Sequence, residues 1–124
     1  MSPHPTVVPQ TLSIDRAVED YAYRNPFSSF PVVDERGAVA GLVTLSMIRQ
    51  TPMDRWPTTR VMDIARPFSE VVTCHPDDAL IDVMGRLSPG DGLRALVFDD
   101  SSLVGIITAT DVTRALSRGQ LLRR

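Results

Sequence analysis

Apolar and polar positions along this chain spell one pattern twice. Ser29-Phe30-Pro31-Val32-Val33 leads through a turn to Ala40-Gly41-Leu42-Val43-Thr44, and Leu93-Arg94-Ala95-Leu96-Val97 leads to Val104-Gly105-Ile106-Ile107-Thr108. Gly41 and Gly105 stand 64 positions apart, as do Thr44 and Thr108. Each copy reads as strand, turn, strand, glycine, apolar pair, threonine, helix. A repeat of that length filling a short chain is a statement about architecture. Two such units, each with one apolar face to cover, tend to pack together, and the cleft between them is a natural ligand site.

The elements follow from local period and punctuation. Ser2 to Pro9 holds three prolines and reads as extended. Ser13 is placed to cap a helix over about 14–24, where Ile14, Ala17, Val18, Tyr21 and Ala22 share a face. Strands are expected at 30–33 and 38–44, joined by Asp34-Glu35-Arg36-Gly37. They are nearly continuous in apolar residues, so both faces should be buried. A short helix follows at about 45–50. Residues 51–59 form a linker stiffened by Pro52 and Pro57, with Trp56 read as a staple onto the core before an exposed partner contact. A helical turn is expected at 61–65 and a strand at 71–72. Pro76-Asp77-Asp78 opens a helix to about Leu87, with acidic groups at its positive end. Turn formers occupy 88–92. Strands at 95–98 and 103–108 and a helix at 110–116 complete the second copy. The chain divides into an extended segment (1–6), a first repeat with linker (7–60), a second repeat (61–116) and a tail (117–124).

Composition narrows the function classes. Of 124 residues, 43% are apolar, enough for a core. A net charge of −2 gives no reason to expect nucleic acid. All 13 basic residues are arginine, without clustering that would make phosphate clamps. The single cysteine, Cys74, excludes an internal disulfide. With His75 it supplies two metal ligands at most, short of a tetrahedral site. As a nucleophilic pair the two are poorly placed, because neighbours on a strand point to opposite faces. No Ser/His/Asp elbow or phosphate-cradling Gly-Lys-Ser/Thr loop occurs, so the chain reads as non-catalytic. No apolar run approaches a membrane span, so no direct membrane insertion of this chain is expected.

The candidate chemistry gathers at Gly105-Ile106-Ile107-Thr108-Ala109-Thr110-Asp111. A strand ends at the threonine and a helix begins at once, where first-turn N–H groups attract anions. Asp111 projects from that first turn. A carboxylate accepts from two vicinal hydroxyls together, the pattern a ribose presents. Thr-x-x-Asp at a helix start is equally close to a capping box. In the first copy Met47 stands where the aspartate would be, and a thioether cannot hold a hydroxyl in that way. Any sugar contact therefore belongs to the second copy. Arg114, one turn past Asp111, is placed to meet a phosphate, but reads first as a solvent-facing arginine.

The doubled Gly-apolar-apolar-Thr pattern, with Asp111 in the second copy and Pro76-Asp77-Asp78-Ala79-Leu80 before its helix, resembles a tandem CBS-domain pair, the Bateman module, over about 7–116. More narrowly, Phe30-Pro31-Val32-Val33-Asp34, Gly41-Leu42-Val43-Thr44-Leu45 and Arg55-Trp56-Pro57-Thr58-Thr59 resemble the CBS pair of bacterial site-2-type intramembrane zinc metalloproteases. This chain has no His-Glu-x-x-His helix, so that kinship would make it the regulatory portion without the catalytic part.

The resemblance implies an α+β fold of two β-α-β-β-α repeats, packed through their sheets with pseudo-twofold symmetry. It implies a regulatory ligand containing adenosine (AMP, ADP, ATP or S-adenosylmethionine) between the repeats, and no required cofactor. Asp111 would hold ribose, Thr108 ribose or phosphate, Val72 and Thr73 would present backbone groups to the base, and Arg94 and Ala95 would flank it. In the first repeat Thr44 matches, with Val8, Phe30 and Pro31 available to line a pocket. A homodimer of pairs follows from the same resemblance, with apolar faces such as Tyr21 and Tyr23 contributing. So does a cytoplasmic setting, with an attached effector such as a membrane protease tethering the module to the cytosolic face. The competing function is a dimerising scaffold that binds no small molecule.

Overall fold

The computed structural model describes residues 2–3, 5–22, 28–87 and 94–108. The chain falls into two compact units, one made of Thr6–Glu70 and the other of Met1–Pro5 with Val71–Arg124. They are called the N-terminal and C-terminal units below.

In the N-terminal unit, β2 (Val8–Pro9) runs parallel to β3 (Ser29–Val33), β3 is antiparallel to β4 (Val39–Thr44), and β4 is antiparallel to β5 (Arg66–Pro67). In the C-terminal unit, β6 (Val72–Cys74) runs parallel to β7 (Ala95–Asp99), β7 is antiparallel to β8 (Ser102–Ile107), and β8 is antiparallel to β1 (Ser2–Pro3). The two sheets share one strand order. The segment expected to be merely extended thus contains two short strands, and the first of them closes the sheet built from the end of the chain.

The repeat is visible in the pairing itself. Gly41 faces Pro67 and Leu42 faces Arg66; Gly105 faces Pro3 and Ile106 faces Ser2. Glycine is needed at this rung in β4, because a Cβ on Gly41 would lie 2.5 Å from the Arg66 carbonyl oxygen. The offset of 64 does not hold throughout. Val32 faces Gly41 whereas Val97 faces Gly105, so β3 and β7 match at 65 positions. That one-residue slip makes Ser29 the counterpart of Arg94. The hairpins differ accordingly. Asp34 closes the first turn by accepting from the N–H groups of Arg36 and Ala38, with Gly37 at φ +82°. The second is a two-residue loop with Asp100 at φ +57°.

Helices cover one face of each sheet. In the N-terminal unit, α1 (Ile14–Ala17) passes into a π-helical turn, Val18–Ala22. Ile14, Ala17, Val8, Phe30, Val32, Val43, Ile48 and Val61 form one buried cluster with α2 (Leu45–Gln50) and α3 (Val61–Ile64). Trp56, in the 3₁₀ stretch Met53–Thr58, packs against that cluster and donates from Nε1 to the Thr51 carbonyl at 3.0 Å, so the linker is stapled as expected. In the C-terminal unit, Val83 of α4 (Leu80–Arg86) packs with Cys74, Ala95, Val97 and Ile107. Leu42 and Leu96 point to the opposite faces and are also buried, which explains strands without strict alternation.

Two helix starts depart from the sequence reading. The Ser13 hydroxyl donates to the Asp15 carboxylate and does not cap the backbone. Pro76-Asp77-Asp78 forms a turn, and α4 begins at Leu80 after Ala79. The cause is local: the Asp78 carboxylate accepts the N–H of His75 at 2.9 Å, closing a turn that competes with the helix. The expected helix at 110–116 and the tail lie outside the described residues.

Candidate functional site

Register and alternation sort the C-terminal sheet into two faces. Val72, Cys74, Ala95, Val97 and Ile107 face α4 and form its core. Thr73, Leu96 and Ile106 fall on the other face, and the same alternation carries Arg94 and Thr108 there, at the ends of β7 and β8. Leu96 and Ile106 are buried, whereas Thr73, Arg94 and Thr108 are half-buried. An apolar floor with polar groups at its end can take a flat, polar-edged ligand. Burial lowers the pKa of the Arg94 guanidinium from its ordinary value.

Around Thr73 the backbone is held by a ring of contacts. The Arg86 guanidinium donates from Nη1 to the Thr73 carbonyl at 2.7 Å and from Nη2 to the Asp78 carboxylate at 3.4 Å. That carboxylate also takes the His75 N–H, which is the main cause of its lowered pKa; Arg86 lowers it further. Sequence reasoning missed Arg86 altogether. Its only signal was an arginine ending a helix that a proline-aspartate turn folds back over a strand.

Cys74 and His75 do not converge. The thiol lies in the buried core and its pKa is raised, first by desolvation and then by the charge of Asp78. The exposed His75 ring accepts the Asp77 N–H on Nδ1 at 3.2 Å and holds Nε2 at 3.6 Å from Asp99. Among the described residues no cluster of three His, Cys, Asp or Glu side chains could hold a metal.

The N-terminal unit uses the equivalent positions differently. Val8 and Phe30 point into its helix-covered core. Pro31 faces Leu42 on the opposite side, beside the buried pair Ser29 and Thr44. The Thr44 hydroxyl accepts the N–H of Met47 at 3.2 Å and caps α2. Met47 packs its side chain against the core, as does Tyr21. A small open depression of about 240 Å³ lies on the surface of this unit, lined by Gln10, Asp34, Glu35 and Arg36.

Asp111, together with Thr110, Arg114 and Tyr23, lies outside the described residues. The structure therefore brings Thr73, Arg94 and Thr108 to one face, turns Val72 and Ala95 to the other, and leaves the proposed ribose ligand unplaced. Among the described residues no helix is long and apolar enough to cross a membrane.

A family model for the CBS domain matches residues 1–53 and 61–118. A Mycobacterium tuberculosis protein described as a zinc metalloprotease, Rip3, is 35% identical over 117 residues, which is 94% of this chain and 30% of that protein. Inosine-5'-monophosphate dehydrogenase of Escherichia coli is 31% identical over 111 residues, 89% of this chain and 22% of the enzyme. The chain thus spans about a third or less of these relatives. Among solved structures, CBSX2 in complex with AMP superposes with a TM-score of 0.75 at 23% identity, covering 97% of this chain and 94% of CBSX2.

Proposed function

This chain belongs to the CBS-domain family as a tandem regulatory module, and from that premise we propose that its C-terminal unit binds an adenosine-containing ligand without catalysing a reaction. The observation that carries the reading is one face of that sheet on which Thr73 stands on the rung of Leu96 and Ile106, with Arg94 and Thr108 at the ends of β7 and β8 and Thr108 three residues before Asp111 in sequence. A base would meet the backbone of Val72 and Thr73. Asp111 would take the ribose and Thr108 the ribose or phosphate, and Arg94 would flank the base; Ala95, whose side chain is buried in the core with Val83 of α4, would offer only its backbone there. The AMP bound to CBSX2, a protein of the same fold, supports this ligand class. The N-terminal positions Val8, Phe30, Pro31 and Thr44 would make at most an apolar counterpart, because Thr44 is buried where it caps α2 and Met47 offers no carboxylate.

Binding would bias the arrangement of the module only as far as affinity differs between its states. The change would pass to an attached or partner effector. The likeness to Rip3, described as a zinc metalloprotease, supports a protease in that role. The family resemblance would place that protease in a membrane, with the module tethered at the cytosolic face and paired as a homodimer.

Calorimetric titration with AMP, ATP and S-adenosylmethionine tests the reading. Micromolar to millimolar binding is expected for at least one, weakened about tenfold or more by Asp111→Ala through loss of charge-assisted hydrogen bonds. No heat at millimolar ligand overturns it. The capping role of Thr44 favours one alternative, a ligand-independent scaffold whose motif threonines serve the helices alone. Sedimentation would then show a dimer unmoved by nucleotide.

A further inference from the structure

We propose that Arg86 is a positioning residue for the adenosine site: its guanidinium fixes the Thr73 peptide of β6 by tying it to Asp78. This role rests on the adenosine reading above and names the device that prepares its base-binding edge.

The strand concerned needs such a device. Among the described residues β6 is three residues long, lies at the edge of its sheet, and has β7 as its one strand neighbour. An edge strand presents backbone groups that no ladder satisfies, and so short a one has little to hold it in register. Arg86 sits thirteen residues further on, as the last residue of α4, and returns to the Thr73 carbonyl at 2.7 Å. The bond is charge-assisted and so among the stronger kinds. The same planar fork reaches the Asp78 carboxylate at 3.4 Å, and that carboxylate takes the N–H of His75 at 2.9 Å. The ring therefore closes through Thr73, Arg86, Asp78 and His75, with Pro76 stiffening the turn inside it. A carbonyl oxygen has two lone pairs, so the one Arg86 leaves remains for an exocyclic amine. A base meeting this edge finds backbone already ordered, and affinity gains by the ordering it need not impose. Lysine could not substitute fully, because a single ammonium does not present two diverging donors in a fixed plane.

The test is AMP titration of the full chain by calorimetry, with Tm and backbone amide exchange recorded for each variant. Arg86→Ala is expected to weaken AMP about tenfold and to speed exchange at residues 73–78. Arg86→Lys should recover part of the affinity. Asp63→Ala, which removes the acceptor for the Arg60 N–H in the N-terminal unit, should lower Tm and leave AMP affinity intact, separating positioning from general stability. Wild-type binding with Arg86→Ala within twofold of it would overturn this role alone. So would affinity loss without faster exchange, which would mean that Arg86 touches the ligand directly. A wild-type chain silent to AMP, ATP and S-adenosylmethionine would overturn the adenosine reading, and this role with it.

Discussion

Gly41 faces Pro67 in one unit and Gly105 faces Pro3 in the other, and the next rungs, Leu42 with Arg66 and Ile106 with Ser2, keep the same register. From that shared edge the units diverge strand by strand. One position further across the sheet the match has slipped by a residue, and buried Ser29 gives way to half-buried Arg94. The N-terminal unit consumes its polar groups internally, as Thr44 does in capping α2. The C-terminal unit instead carries Thr108 and the Arg94 guanidinium at the sheet end and adds Arg86 beside β6. A duplicated scaffold has kept its framework and changed its chemistry at one end of one copy. Stability and recognition can therefore be perturbed separately, and the variants below exploit that.

The largest effect should come from the shared edge. Gly41→Ala places a methyl 2.5 Å from the Arg66 carbonyl and 3.1 Å from the Met62 side chain. The backbone oxygen cannot swing aside, so β4 and β5 must separate, at a cost of about 2 kcal/mol for overpacking. Gly105→Ala tests whether the C-terminal unit closes on Pro3 under the same constraint. Urea titration of both should show comparable falls in midpoint. A harmless Gly105→Ala would break the equivalence of the two edges.

Much of this framework was legible in the chain. The strand pairs announce themselves by β-branched runs around each glycine, and α2 follows its capping threonine over the expected residues. The two-residue strands β1, β2 and β5 were not legible. Each contains a proline, and each exists only through a partner distant in sequence. The slip between β3 and β7 was hidden because the loop geometries set it: a five-residue excursion with Gly37 in one hairpin and a two-residue loop at Asp100 in the other. The start of α4 moved for a reason that composition does say, but ambiguously. An aspartate ahead of a helix can sit in its first turn or close the preceding turn, and Asp78 does the latter. At the candidate site the sequence pointed to Thr73, Arg94 and Thr108, which share a face, and to Val72 and Ala95, which turn to the other. It could not name Arg86, whose contact is to a backbone carbonyl and leaves no spacing signal.

A smaller effect separates the two motif threonines. Thr44→Ala removes the acceptor for the Met47 N–H and should cost about 1 kcal/mol, as loss of an N-cap does. Thr44→Ser should recover most of it. If the N-terminal motif serves only its helix, neither variant changes AMP affinity. Thr108→Ala should weaken AMP binding, with the fall read by calorimetry beside the change in Tm. Equal loss of affinity from both alanine variants would show that the copies share the ligand, and would erase the asymmetry drawn above.

The smallest effect concerns a glycine that answers to no neighbour. Gly85 lies in the last turn of α4, and a Cβ there would meet nothing within 4 Å. Its φ is not in the left-handed region, so an alanine fits the backbone without strain. Alanine also narrows the unfolded ensemble, so Gly85→Ala should stabilise the chain by up to about 0.8 kcal/mol, seen as a rise in Tm. The contrast with Gly41 is then within one residue type: one glycine is required by a carbonyl, the other by nothing in the helix. Because Gly85 precedes Arg86, a firmer last turn should also hold the guanidinium against Thr73 more steadily. A rise in Tm with slower amide exchange at 73–78 would tie the stability of α4 to the order of β6. A rise in Tm with that exchange unchanged would place the helix end and the strand edge in separate cooperative units, leaving the ring at Arg86 to act on its own.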